Sequence, residues 1–149
     1  MITVVTRVLE ARVRVEGQVV GEIGRGLLAL AAVCRGDGEK DLAWTAGKLV
    51  QLRVFPDDAD KAFDRDVLQV GGSILLVSNF TVAAETKRGR RPSFDPAMPP
   101  AEAEPVFARF VELVGATGVP VATGRFGANM QVASVNDGPV TFLLDSRAP

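Results

Sequence analysis

Between Ile2 and Ile23 apolar residues recur mostly at every second position. Val13 and Val15 alternate with Arg12, Arg14 and Glu16, and Val19-Val20 follow Gly17. Alternation of this kind gives a strand one covered and one wet face, and Glu16-Gly17 folds it into a hairpin. Leu27 to Val33, bounded by Gly24, Gly26 and "RGDGEKD", contains no polar residue and predicts a buried strand. The period then changes. Leu42, Ala46, Leu49 and Val50 are spaced for a helix that Asp41 can cap and that runs to about Arg53. Trp44 on that helix reads as packing. "SILLVSNFTV" returns to strand patterning, and its first half, Ile74 to Val77, is apolar on both faces. A connection through Pro92, Pro96, Pro99 and Pro100 leads into a second helix ending near Val114. Val106, Phe107, Phe110 and Leu113 form its apolar stripe, and Pro105 falls in or near its first turn. Val119 to Leu144 is strand-like again, interrupted by "GRFGANM" and by "NDGPV".

No repeat or linker divides these elements, and hairpin signals outnumber helical crossovers. The expectation is a single α+β domain over residues 1–149: a mainly antiparallel sheet or partly closed β-barrel with about two covering helices. Hydrophobic residues at 47% and charged residues at 23% fit a globular chain. The longest apolar run, Leu27 to Cys34, is too short for a bilayer, and "MITVVTRVLEARVRV" lacks the plan of a signal peptide. A soluble cytoplasmic protein without a membrane partner is expected.

Absences narrow the chemistry further. The chain has no histidine, no tyrosine and one cysteine. A Ser-His-Asp or Cys-His arrangement is impossible, as is a zinc site of histidine and cysteine ligands. Cys34 closes "LLALAAVC" and reads as a core thiol. Catalysis, if present, must use hydroxyls, carboxylates, lysines, the backbone or the substrate itself, and no metal or cofactor is expected. Net charge is -1, so no global basic field marks a nucleic-acid partner. "TKRGRRPSF" nevertheless concentrates Lys87, Arg88, Arg90 and Arg91, which form either a solvated loop or a local anion patch suited to phosphates.

Three stretches place polar groups where chemistry can occur. Strand alternation in "VSNFTV" puts Asn79 and Thr81 on one face, with Ser78, Phe80 and Val82 on the other. Ser78 and Thr81 either bond to backbone at the strand end or wall a pocket, where Thr81 is the obvious hydroxyl nucleophile. In "GRFGANM", Gly124 and Gly127 flank Phe126, as for a bulge or a close backbone approach to a ligand. In "NDGPV", Asn136-Asp137-Gly138 is hairpin-turn chemistry, and Pro139 has no N–H to give a ladder.

"VSNFTV", "KRGRRPSF", "GRFGANM" and "NDGPVTF", in this order and spacing, resemble the D-aminoacyl-tRNA deacylase (D-tyrosyl-tRNA(Tyr) deacylase) family. The opening "TRVLEARVRVEGQVVGEIGRGLLAL" is similar as well, so the resemblance covers essentially the whole chain. It implies a homodimeric hydrolase that cleaves the ester joining a D-amino acid to tRNA and also removes glycine mischarged on tRNA(Ala). The family's Ser-Gln-Phe-Thr-Leu signature falls on Ser78, Asn79, Phe80, Thr81 and Val82. Its Gly-Pro element, with a cis peptide bond, falls on Gly138 and Pro139. The resemblance implies that this dipeptide reaches into the partner's pocket, helped by Arg7, and rejects L substrates by occupying the space their side chains need. Phe126 and Gly127 join Ser78, Asn79, Gly138 and Pro139 as substrate-binding residues, and Lys87, Arg88, Arg90 and Arg91 become tRNA contacts. No DNA partner is expected.

Two mechanisms remain open on these residues. Thr81 is the nucleophile, or backbone N–H groups near Phe80 and Thr81 polarise the ester while the ribose 2′-hydroxyl assists water. The absence of histidine favours the second. The sequence departs from the family at Asn79 (usually glutamine), at Val82 (usually leucine), at Thr6 (usually glutamine) and in "VAAE", which lacks a common tyrosine. The competing functions are a non-catalytic nucleic-acid-binding module built on the 87–91 loop and a broader esterase with Thr81 as nucleophile.

Overall fold

The computed structural model describes residues 1–149 except Asp60, Arg88 and Pro149. Six strands and two helices follow in the order β1 (Ile2–Val15), β2 (Gln18–Ile23), β3 (Gly26–Ala32), α1 (Glu39–Gln51), β4 (Ser73–Ser78), α2 (Pro100–Gly115), β5 (Val121–Thr123) and β6 (Gln131–Asp145). A single 3-10 turn, Phe80–Ala83, follows β4.

The alternating N-terminal segment is the long β1, and everything else is arranged around it. β2 and β3 run one after the other along one edge, paired at Ala11↔Ile23 to Val15↔Gln18 and at Ile2↔Ala32 to Val8↔Gly26. β6 covers the opposite edge, from Ile2↔Asp145 to Arg14↔Gln131. These pairings are antiparallel, whereas β3–β4 and β4–β5 are parallel, so the sheet is mixed. The sheet then curls until β2 meets β5. The contact is backbone on backbone, because a methyl at Gly21 would collide with the carbonyl of Thr123. The result is a nearly closed barrel with two helices, as the α+β reading anticipates.

The two runs without polar residues have a physical explanation in this geometry. On β3 and β4, Leu27, Ala29, Ile74 and Leu76 face the helix-covered core, while Leu28, Leu75 and Val77 fill a second cluster with Val8, Ala11 and Val13. Helix α1 buries Leu42, Ala46, Leu49 and Val50, the residues its spacing selects. Its cap is Gly38 rather than Asp41. Asp41 sits one turn inside, and its carboxylate accepts from the Gly38 N–H at 3.0 Å. Helix α2 turns Ala103, Phe107, Phe110 and Val114 inward, so the stripe is shifted from the expected one, with Val106 and Leu113 at its margins. Burying Phe110 completely contributes about 2–3 kcal/mol. Pro105 lies beyond the first turn, which Pro100 opens. It is tolerated because Ala101, whose carbonyl loses a helix bond there, is exposed to water.

Trp44 is packed against the core with the Lys48 ammonium 5.6 Å from its ring centroid. Cys34 is fully buried, and burial pushes its thiol upward from the ordinary cysteine value, as suits a core residue rather than a nucleophile. Among the described residues, no helix is long and apolar enough to cross a membrane.

Candidate active site

β4 stops at Ser78, so the strand alternation expected through Thr81 does not hold. The cause is Asn79. Its N–H makes a last sheet-like bond to the Ala31 carbonyl at 2.8 Å, and its side chain then competes with the ladder for the backbone ahead. Asn79 Oδ1 accepts from the Thr81 N–H at 3.2 Å and from Thr81 Oγ1 at 2.6 Å, which winds Phe80–Ala83 into a 3-10 turn. Ala83 is consequently buried beside Cys34 and Ala97, and Val82 packs on that cluster. Phe80 swings outward and meets Phe94 edge to face at 5.0 Å between centroids.

This turn fixes what each group can do. The Thr81 hydroxyl donates to an amide oxygen, a neutral acceptor that cannot take its proton away. The Thr81 N–H is also engaged. The N–H of Phe80 has no acceptor among the described residues and is the open backbone donor at this point of the chain.

A cleft of about 880 Å³ opens beside the turn. Ser78, Asn79, Phe80, Phe126 and Gly127 all line it, so the structure brings together two sequence stretches almost fifty positions apart. Thr81 is exposed and does not line the cleft. The remaining wall is mostly apolar, with Leu30, Val33, Phe94, Met98, Ala103 and Met130. Phe94 and Met130 end two of the quoted motifs, whereas patterning marks the others as core or connection; only the fold shows that they face a common space. Arg35 also lines the cleft and carries no motif that could have singled it out.

Gly138 and Pro139 lie elsewhere. β6 continues in one direction from Gln131 to Asp145, so "NDGPV" does not reverse the chain as a hairpin turn. Instead, register jumps from Val8↔Asn136 to Thr6↔Thr141, leaving Asp137 to Val140 opposite Arg7 alone. The excess backbone forms a bulge, with a cis Gly138-Pro139 peptide bond at its exposed tip. Asn136 braces it from within, Oδ1 accepting from the Val140 N–H at 3.0 Å and Nδ2 donating to Thr141 Oγ1 at 3.1 Å. Arg7 braces it from β1. Its Nε donates to the Asp137 carbonyl and lies 3.1 Å from the Asp137 carboxylate, and its Nη1 donates to the Val54 carbonyl at 2.6 Å. The bulge does not line the cleft of its own chain.

The basic stretch forms an excursion closed by paired backbone bonds of 2.9 Å between Glu85 and Ser93. Lys87, Arg90 and Arg91 are exposed on it and make no ion pair among the described residues. Arg88 lies outside the described residues. The excursion runs directly into Phe94, which places its base at the cleft.

Known proteins of the same kind share this architecture. The family model described as D-Tyr-tRNA(Tyr) deacylase matches residues 4–145. The chain belongs to that family. It is 54% identical over 148 residues to a protein of Geobacter sulfurreducens named D-aminoacyl-tRNA deacylase, covering 99% of this chain and 97% of the relative. A Cereibacter sphaeroides protein of the same name is 48% identical over 146 residues, covering 98% of this chain and 100% of its own. Among solved structures, the c-Myc DNA Unwinding Element Binding Protein superposes with a TM-score of 0.92 at 38% identity, covering 97% of this chain and 98% of that one. A probable eukaryotic D-amino acid tRNA deacylase, with a TM-score of 0.79, 15% identity and coverage of 96% and 97%, shares the fold.

Proposed function

We propose that this protein is a cytoplasmic hydrolase that cleaves D-aminoacyl-tRNA, and glycine mischarged on tRNA(Ala), without metal or cofactor. It works as a homodimer in which the Gly138-Pro139 bulge of one protomer completes the cleft of the other. The observation that carries this reading is the bulge itself. It is exposed, braced on both sides by Arg7 and Asn136, and outside the lining of its own chain's cleft, so its braced tip is presented outward. The same strand also leaves Val135 and Leu143 exposed at 46% and 66%, apolar surface that a second copy would cover.

In this arrangement the bulge carbonyls accept the α-ammonium group of the substrate, and the proline ring occupies the volume an L side chain requires. A D side chain points away, and glycine has none to exclude. The Phe80 N–H polarises the ester carbonyl, and the ribose 2′-hydroxyl orients the attacking water. Water oxygen bonds to the carbonyl carbon, the bond from that carbon to the ribose 3′-oxygen breaks, and the 3′-oxygen leaves as the hydroxyl of free tRNA. Thr81 positions Asn79 and takes no covalent part.

The deciding experiment is paired hydrolysis of D- and L-aminoacyl-tRNA by the purified protein in the presence of a metal chelator. Cleavage of the D form at least about a hundredfold faster is expected, a discrimination of roughly 3 kcal/mol. Equal rates would remove the chirality filter, and RNA binding without ester cleavage would support the non-catalytic alternative; a DNA duplex serves as the control ligand. Lys87, Arg90 and Arg91 are assigned to tRNA phosphates. Replacing all three with alanine should lower the slope of log affinity against log salt by about two, measured by tRNA binding at several salt concentrations.

A further inference from the structure

Among the described residues, Arg35 is the sole charged side chain lining the cleft. Two bonds hold it to the adjacent segment: its backbone N–H donates to the Pro96 carbonyl at 2.9 Å, and its Nε donates to the Asp95 carbonyl at 2.9 Å. Both partners belong to the segment between Phe94 and Met98, which also lines the cleft. The guanidinium is therefore anchored at one edge, with its terminal amino groups still available. It forms no ion pair among the described residues. A pre-oriented guanidinium without a carboxylate, set beside apolar walls, is suited to a phosphate and opposes an ammonium group.

The substrate proposed above carries both charges close to its ester. The α-ammonium lies on the amino acid, and a phosphate joins the terminal adenosine to the rest of the RNA through its 5′-oxygen. We infer that Arg35 binds this terminal 5′-phosphate and so sets the direction in which the acceptor end enters. The adenosine then lies along the wall formed by Val33 and Met98, and the aminoacyl group is delivered to Asn79 and Phe80. The reversed pose would bring the ammonium against Arg35 and leave the phosphate on apolar surface. Arg35 is thus a positioning residue, and the inference rests on the deacylase reading.

The test compares hydrolysis of 3′-O-D-aminoacyl-adenosine with that of its 5′-monophosphate. The wild-type protein should favour the phosphorylated compound about tenfold to a hundredfold in kcat/KM, mainly through KM, as expected for a charge-assisted contact. Arg35→Gln can still donate to the Asp95 carbonyl but has no charge, and it should bring this ratio close to one. Arg35→Lys should restore part of it. Inhibition of D-aminoacyl-tRNA cleavage by adenosine 5′-monophosphate against adenosine gives the same comparison without turnover of the short compounds. A wild-type protein indifferent to the phosphate, or an Arg35→Gln variant that keeps the full preference, overturns the assignment. Loss of the preference in Arg35→Lys to the same degree as in Arg35→Gln also counts against it, because charge would then not be the cause. Failure to cleave D-aminoacyl-tRNA at all would strike the deacylase reading itself, a separate result.

Discussion

Gly138→Ala is expected to reduce the preference for D over L substrate by about a hundredfold while the fold survives. The reason is local crowding. A Cβ at Gly138 would lie 2.6 Å from Val140 Cγ2, 2.8 Å from the Val140 nitrogen and 3.3 Å from Arg7 Nη2, at a φ of 137° that side chains rarely adopt. Val140 cannot simply yield, since it is buried and its N–H is tied to Asn136. The tip of the bulge must move instead, at a cost of roughly 1–3 kcal/mol. That cost falls on an exposed excursion from the sheet, so the melting temperature should drop by no more than about 10 °C. The selector, by contrast, depends on where the tip points, and a displaced ring no longer fills the L side chain's volume. Parallel D and L hydrolysis, with thermal unfolding of the same preparation, separates the two effects. A lowered melting temperature with an unchanged D/L ratio would exclude the bulge as selector. Arg7→Ala should shift the ratio in the same direction, because it removes the bonds to Asp137 and Val54 together.

Much of this architecture can be read directly from residue patterning, and the exceptions share a cause. Period-two spacing identifies β1 and β2, and uniform apolarity identifies β3 and β4, because those residues face either water or one of two cores. Patterning fails where a polar side chain bonds to nearby backbone. Asn79 ends β4 by accepting from Thr81, and its side chain gives no periodic signal that a turn rather than another strand residue follows. Asn136 does the same inside β6, where turn chemistry is used to bulge a strand instead of reversing it. Whether Asn-Asp-Gly reverses a chain depends on what the flanking residues pair with, and here both flanks pair with β1. The cleft shows the complementary limit. Ser78, Asn79, Phe80, Phe126 and Gly127 stand out through motifs, whereas Leu30, Met98 and Arg35 reach the same space only because β3, the loop after it and the segment before α2 border it. Their chemistry is ordinary, and their placement alone gives them significance.

Thr81→Ala should retain hydrolysis within about tenfold of wild type, whereas Asn79→Ala should lose on the order of a hundredfold in kcat. The expectation follows from the direction of one hydrogen bond. Thr81 Oγ1 donates to Asn79 Oδ1, so its proton rests on an acceptor with no basicity, and the chain has no histidine to replace it. Removing that hydroxyl still leaves the Thr81 N–H bound to Asn79, and the 3-10 turn keeps its cap. Removing the Asn79 side chain deletes the cap, which costs about 1 kcal/mol locally and releases the turn that aims the Phe80 N–H. Losing one aligned oxyanion donor is worth far more to the rate than to stability. Single-turnover deacylation of D-aminoacyl-tRNA by the two variants decides between the mechanisms. A nucleophilic Thr81 demands the reverse order: its loss would remove a factor of about ten thousand or more, and an acyl-enzyme would accumulate in the wild-type protein. Asn79→Asp refines the comparison, since a carboxylate can accept from both Thr81 groups and hold the turn. It should therefore recover the Phe80 geometry, although its charge faces the ester carbonyl. Recovery of rate together with the turn, despite that charge, would place the function in the backbone that Asn79 organises rather than in its amide.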